Sequence, residues 1–489
     1  MDASETTQLL RPELNGNGSK DPLEAQAKEL GVTPFQKGTA VAVCLNYIIG
    51  TGCFGLPYAF TATGLGLTSL LLLVGSVCAF ISLNYTLEIV TRGEGATSAE
   101  EERSSEPVME MSYRKFGFTT LAYKFSGSTL QNITQLVMTC YAMGTLWLYS
   151  SIFSSSVSAI FFSYVLHTEC DVYAPIHSNR CEASYYVCMA IFATIVITLG
   201  LQDLGDQAVV QKLLSLYRVV AFVIMITTLI VKIAVNPNFV PHRVDDIGYF
   251  DWKKFALGFG PCMLAITCQY NIPDVIQPLQ DKRAAKQVTF IALFASVVLY
   301  FALGLLGALA FEHVNPLVTL NWNDYTACGD GWEPCPRNYF ANAIQLIVML
   351  FPVVNVTSSY PLVSITLGDN IMGMLPAAWS EKYGAGNVKT GSRLVCLVPP
   401  LILATFFKKI EIIFTLSGMF GFVLSLVLPC ALQVASLDYC TRTFGNIKSS
   451  ITPYSVDIIS ERKFSNVMFW VSTVITGVAV VTFFLPKAV

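Results

Sequence analysis

The sequence predicts an all-helical integral membrane protein with about eleven membrane-spanning helices, built as two inverted five-helix repeats plus one extra helix. Three observations carry that expectation. Of 489 residues, 53% are hydrophobic and only 13% charged, with a mean hydropathy of +0.56, whereas a soluble domain is about one-quarter charged. Apolar runs of roughly 20 residues recur along the chain, the length a helix needs to cross the hydrocarbon of a bilayer. Two of these runs, in corresponding positions of the halves, are interrupted by glycine and proline, the pattern of inverted-repeat transporters. The runs do not alternate apolar and polar residues as the strands of a membrane barrel do. A net charge of −3 and a pI near 5.9 offer no basic surface for phosphates, so nucleic acid is not an expected partner.

Residues 1–36 are polar and mixed in charge, and they read as a disordered cytosolic tail without the apolar core of a cleaved signal peptide. The first membrane helix is then the targeting element. Within the tail, Glu5 stands four positions before the pair Leu9 and Leu10, the acidic dileucine pattern that coat adaptor proteins read on cytosolic tails. It predicts an endosomal or lysosomal membrane. The remainder, residues 37–487, is the transmembrane domain, with a first repeat over about 38–233, a second over about 254–436 and the extra helix over about 467–485. The apolar runs fall at 38–61, 67–90, 128–165, 184–202, 209–233, 254–277, 288–311, 339–366, 392–407, 410–436 and 467–485. The third is long, but no charge or turn cluster breaks its interior, so it reads as one tilted helix.

Most Lys and Arg outside the runs, among them Arg92, Arg103, Arg114, Lys282, Arg283, Arg442 and Arg462, fall on the side of the tail. By the positive-inside rule the N-terminus is cytosolic and the C-terminus lumenal or extracellular. The connections 166–183 and 312–338 then lie outside, each with two cysteines, and an oxidising compartment permits Cys170–Cys181 and Cys328–Cys335 bridges. The other cysteines sit mostly within apolar runs, where cysteine acts as a small hydrophobe, and no metal-ligand spacing appears. Neither metal nor cofactor is expected. The connection 91–127, with its acidic stretch Glu100–Glu106, reads as solvated linker.

The functional signal lies in the first helix, Asn46-Tyr-Ile-Ile-Gly50-Thr51-Gly52-Cys53-Phe54-Gly55-Leu56-Pro57. Each glycine costs up to about 1 kcal/mol in a helix relative to alanine, so the cluster predicts a break near the membrane midplane. A broken helix offers N–H groups at a positive dipole end and free carbonyls at a negative one. An amino acid carries the two matching charges. Five helices later the theme returns in Gly258-Phe-Gly260-Pro261, followed by Thr267-Cys268-Gln269-Tyr270-Asn271-Ile272-Pro273. Glycines that merely permit close helix packing are the plain alternative.

These motifs, with the helix count, resemble the amino acid/auxin permease family over nearly the whole chain, about Gln36 to Leu485. Cys268-Gln-Tyr-Asn-Ile-Pro273, Leu350-Phe-Pro352 with Tyr360-Pro361, and Leu397-Val-Pro-Pro400 look most like the transmembrane protein 104 branch. The resemblance implies a LeuT-like fold and transport of small amino acids coupled to sodium or protons. It places Gly50, Thr51 and Gly52 on the substrate clasp, with Phe54, Gly260, Thr267, Cys268 and Gln269 beside them. It also puts Asn46 on a sodium-coordinating asparagine, to be joined by a hydroxyl of the eighth helix, where Thr357, Ser358 and Ser359 are available. Tyr141 and Tyr149, about two turns apart on the third helix, are candidates to close over the solute. Arg218, inside the fifth helix, is expected to snorkel to the near interface. Gly418 and Gly421 read as packing residues. A membrane sensor that binds the solute and signals through cytosolic segments is the second functional expectation. An enzyme is not expected, since no nucleophile elbow, phosphate loop or paired catalytic carboxylates occur.

Overall fold

The computed structural model describes residues 34–484 apart from 35, 104–105, 115, 175–177, 202–207, 337 and 446. Glu5, Leu9 and Leu10 lie outside the described residues. The first crossing, α1, comes in two halves, Lys37–Ile48 and Leu56–Thr63, joined by a tight turn of helix at Thr51–Gly55. Its halves are bent by 48°. There follow α2 (Leu65–Glu102), α3 (Ser128–Phe161, continued by a wide π-helical turn at Phe162–Leu166), α4 (Asn179–Leu201) and α5 (Ala208–Val235). The second half opens with α6, split into Phe255–Ile266 and Ile272–Ile276. After it come α7 (Ala285–Ala310), α8 (Tyr339–Met374), α9 (Ala385–Phe406) and α10 (Ile410–Phe422, running through Val423–Val427 into Leu428–Phe444). The extra helix, α11, spans Arg462–Phe484.

Among the described residues, nine helices are long and apolar enough to cross a membrane, and the bent α1 pair makes a tenth. Both pieces of α6 are too short to cross alone. Taken as one interrupted crossing, α6 completes the expected eleven. The third apolar run is a single helix, as its uninterrupted interior implied. The two broken helices pack on each other, and the first half of α6 also lies against the first half of α10. That contact needs glycine. A Cβ on Gly418 would strike the Gly260 backbone, and one on Gly260 would meet the Phe414 oxygen at 2.9 Å and the Thr415 nitrogen at 3.0 Å.

The connection expected to be solvated linker is ordered instead. α2 continues to Glu102 and a further helix spans Phe118–Ser126. Arg114 pairs with Glu101 at 3.0 Å, Lys124 pairs with Glu100 at 3.0 Å, and the Tyr439 hydroxyl donates to Glu100 at 2.8 Å. The acidic stretch has basic and hydroxyl partners on neighbouring elements, which a composition count does not reveal.

On the opposite face the structure joins Cys170 to Cys181 and Cys328 to Cys335, with Cα separations of 5.4 and 6.4 Å. The connection between α7 and α8 folds inward there. Trp322 is fully buried and donates to the Thr228 hydroxyl at 3.2 Å, while Lys232 at the end of α5 bonds Asp330 at 2.7 Å beneath Trp332. Burial alone would raise the Asp330 carboxyl, but the bonds from Lys232, the Trp332 amide and Asn236 and the Lys232 charge hold it below its ordinary value. Its contribution to stability is therefore complete above the ordinary aspartate range and is lost only as pH falls through that lowered value.

Candidate functional site

The break in α1 follows from local chemistry. Gly50 leaves helical geometry, with φ −103° and ψ −159°, and its N–H turns back to the Ile48 carbonyl at 2.8 Å. The Ile48 carbonyl also accepts the Tyr300 hydroxyl at 2.7 Å, and the Gly50 carbonyl accepts the Cys53 thiol at 3.1 Å. Carbonyls freed by the break thus have partners from the protein itself. The helix restarts at Thr51, and the first N–H groups of a helix have no acceptor within it. In α6 the interruption falls at Thr267 and Cys268, which leave helical geometry (φ −79°, ψ 107° and φ −144°, ψ −6°). Gly258, Gly260 and Pro261 lie inside unbroken helix. The glycine echo therefore marks where α6 packs, and the polar run seven residues later marks where it breaks.

Between the two breaks lies a cavity of about 330 Å³, at the small end of the range for small-molecule sites. Gly50, Thr51, Gly52, Thr267, Tyr141 and Tyr149 line it, as the sequence suggested. Tyr270 joins Tyr141 edge-to-face at 5.5 Å, so the aromatic wall bridges α3 and α6. From this centre the lining extends through Asn271, Asp274, Thr366 and Asn370, near the ends of α6 and α8 on the face where α1 begins. On the disulfide face, the glycine contacts of α1, α6 and α10 and the inward-folded α7–α8 connection lie above the breaks.

Several expected site residues are elsewhere. Phe54 packs against Phe351 with centroids 5.2 Å apart. Gly260 faces α10. Cys268 is buried, and Gln269 bonds the Cys268 N–H and the Ser82 hydroxyl, so both brace the break from behind. Thr357 and Ser358 donate to carbonyls of their own helix, those of Val353 and Asn355, and neither lines the cavity; the neighbouring Ser359 does. A helix shows one face per turn, and the run Thr357-Ser358-Ser359 could not say which.

Two residues in the wall were missed or misjudged. Asn355 of α8 is 3% exposed and its Oδ1 has no hydrogen-bond partner among the described residues. Arg218 does not snorkel. Ten residues into α5, about 15 Å of rise, it is 5% exposed and turns toward α1, donating to the Asn46 carbonyl at 2.8 Å and to Asn46 Oδ1 at 3.3 Å. Its Nε has no hydrogen-bond partner among the described residues. A buried donor or acceptor left unmade costs about 1–3 kcal/mol, more when charged, and these two atoms belong to residues that line the same cavity. The intramembrane charge of Arg218 was the available signal; its long side chain argued the other way.

Known proteins place this architecture. A crystal structure of MhsT in complex with L-phenylalanine superposes with a TM-score of 0.57 at 9% identity, covering 91% of this chain and 98% of that one. The likeness shows a shared fold of LeuT type. A transmembrane protein 104 homolog of Caenorhabditis elegans is 24% identical over 350 residues, 69% of this chain and 68% of its own length. Transmembrane protein 104 of Homo sapiens is 22% identical over 441 residues, 79% and 84% of the two chains. A homolog from Dictyostelium discoideum is 20% identical over 506 residues, 91% and 95%. The profile of the family described as transmembrane amino acid transporter protein matches residues 36–478. Broken helices around a central polar cavity, the shared fold and a family match over most of the sequence agree: this chain is a multi-pass membrane protein that belongs to the transmembrane amino acid transporter family.

Proposed function

We propose that the chain carries small neutral amino acids across its membrane by alternating access, binding them between the breaks of α1 and α6. The observation that carries the reading is the cavity with an unpaired cationic donor, Arg218 Nε, and an unpaired acceptor, Asn355 Oδ1, in one wall. The α-carboxylate sits toward Arg218 and the opening N–H groups of Thr51 and Gly52. The ammonium sits toward Asn355 and the tyrosine faces. With the N-terminus cytosolic, the cavity faces the cytosol and the glycine-lined contacts form the closed outer gate.

Uptake of labelled amino acids by purified protein in liposomes tests this directly. Asn355→Ala is expected to weaken saturable uptake by about tenfold, the worth of one hydrogen bond to a charged group. Saturable binding without flux would instead support the sensor reading. Unchanged uptake in Asn355→Ala would remove Asn355 from the site.

The acidic dileucine pattern of Glu5, Leu9 and Leu10 supports delivery by coat adaptors to endosomal or lysosomal membranes. A tagged Leu9→Ala, Leu10→Ala variant is expected to accumulate at the cell surface. An unaltered distribution under the microscope would show the pattern to be accidental.

A further inference from the structure

We propose that the Arg218 guanidinium is a built-in cation that takes the place of a coupling sodium ion at Asn46, so that solute crosses through this cavity without sodium. The inference rests on the transport reading for its consequence, but its structural core concerns the cation alone.

Sodium is held by oxygen atoms, commonly backbone carbonyls and side-chain oxygens released where a membrane helix unwinds. At the end of the first half of α1 the two oxygens of Asn46, carbonyl and Oδ1, supply that chemistry. Both are already turned to one Arg218 amino group, at 2.8 and 3.3 Å. Two further carbonyls of the break accept hydrogen bonds from the protein, Ile48 from Tyr300 and Gly50 from Cys53. Of the three neighbouring hydroxyls of α8, Thr357 and Ser358 donate to carbonyls of their own helix and lie outside the cavity lining, while Ser359 lines it. The Asn46 oxygens, the part of the cage on α1, are filled by a guanidinium.

Electrostatics lead the same way. Among the described residues, the charged side chains lining the cavity are Arg218 and Asp274. A sodium ion entering beside Asn46 would meet a fixed positive charge in a medium that screens poorly, and like charges so close repel strongly. A guanidinium is less strongly hydrated than an ammonium and has five donors in a fixed plane. It can serve Asn46 with one edge and leave Nε for an anion, the two contacts that a bound sodium makes with protein and substrate together.

The test separates the cation from the transport reading by measuring sodium without solute. Purified full-length protein is probed with radiolabelled sodium in a scintillation proximity assay. Wild type is expected to show no saturable binding, and Arg218→Ala to gain it, with the gain removed by adding Asn46→Ala. Saturable sodium binding to wild type that is lost in Asn46→Ala overturns the proposal, as does a folded Arg218→Ala chain with no gain. Should Arg218→Ala fail to fold, wild type alone still decides. Its melting temperature is expected to be the same in sodium and choline chloride, and a rise of several degrees in sodium overturns the inference. Once a transported solute is in hand, its uptake should persist when sodium is replaced by choline. Absence of any flux would count against the transport reading and leave the sodium result standing.

Discussion

Gly52→Ala is expected to destabilise the protein by about 1–3 kcal/mol, whereas Gly50→Ala, two residues away, leaves the fold intact and lowers solute affinity. The difference lies in what each new methyl meets. A Cβ on Gly52 would stand 2.7 Å from Ala265 Cα and 2.8 Å from the Leu264 carbonyl carbon, backbone atoms that no rotamer change can move aside. α1 and α6 would have to separate at their tightest approach. A Cβ on Gly50 would find only the Ile48 oxygen, at 3.9 Å, and otherwise the cavity. Both glycines line the cavity, but a side chain at Gly52 meets the α1–α6 seam as well, whereas one at Gly50 does not. Thermal melting together with ligand binding on the two variants distinguishes them. Equal melting temperatures for both would show that the α1–α6 seam is looser than these distances imply.

Arg92→Ala is expected to cost about 3–5 kcal/mol, the usual penalty for orphaning one member of a buried pair. Arg92 and Glu88, one turn apart on α2, are 1% and 0% exposed and 2.6 Å from each other. Arg92 also donates to the Ser450 carbonyl at 2.8 Å, to Gln433 Oε1 at 2.8 Å and to Ser436 at 3.0 Å. Glu88 accepts from Asn84 at 2.7 Å, from Gln433 Nε2 at 2.9 Å and from Ser460. The network ties α2 to α10 and to the segment leading into α11. Losing the guanidinium leaves a buried carboxylate facing Gln433 without its counter-charge. Glu88→Gln added to Arg92→Ala removes that charge, so the double variant should be more stable than Arg92→Ala alone. Melting temperatures of the single and double variants supply the cycle. A double variant that is less stable than Arg92→Ala would show that the carboxylate finds other compensation.

Much of the site was legible because the signals are local. A glycine or proline changes the conformational preference of its own backbone wherever it stands, so the α1 break could be read from Gly50 to Pro57. The α6 break was mislaid by seven residues for the same reason. Gly258, Gly260 and Pro261 have the composition of a break, but Gly258 packs against Thr63 of α1 and Gly260 against α10, and helix persists through them. Tyr141, Tyr149 and Thr267, singled out by their proximity to the break and by helical spacing, line the cavity. Phe54, Cys268 and Gln269 were equally near in sequence and face away.

The sequence by itself determined the helical membrane architecture, the interruption of α1 and the cysteine pairs of the two outer connections. Each depends on residue chemistry over a few neighbouring positions: apolar runs long enough for hydrocarbon, glycines that disfavour helix, thiols seven and eleven residues apart. Only the tertiary structure decided which glycine of α1 also forms the seam with α6, which hydroxyl of α8 reaches the cavity, and that Arg218 meets Asn46 across 172 positions of chain. Those outcomes depend on how each helix is rotated about its axis. Rotation is set by packing against several neighbours at once, so no single segment of sequence contains it.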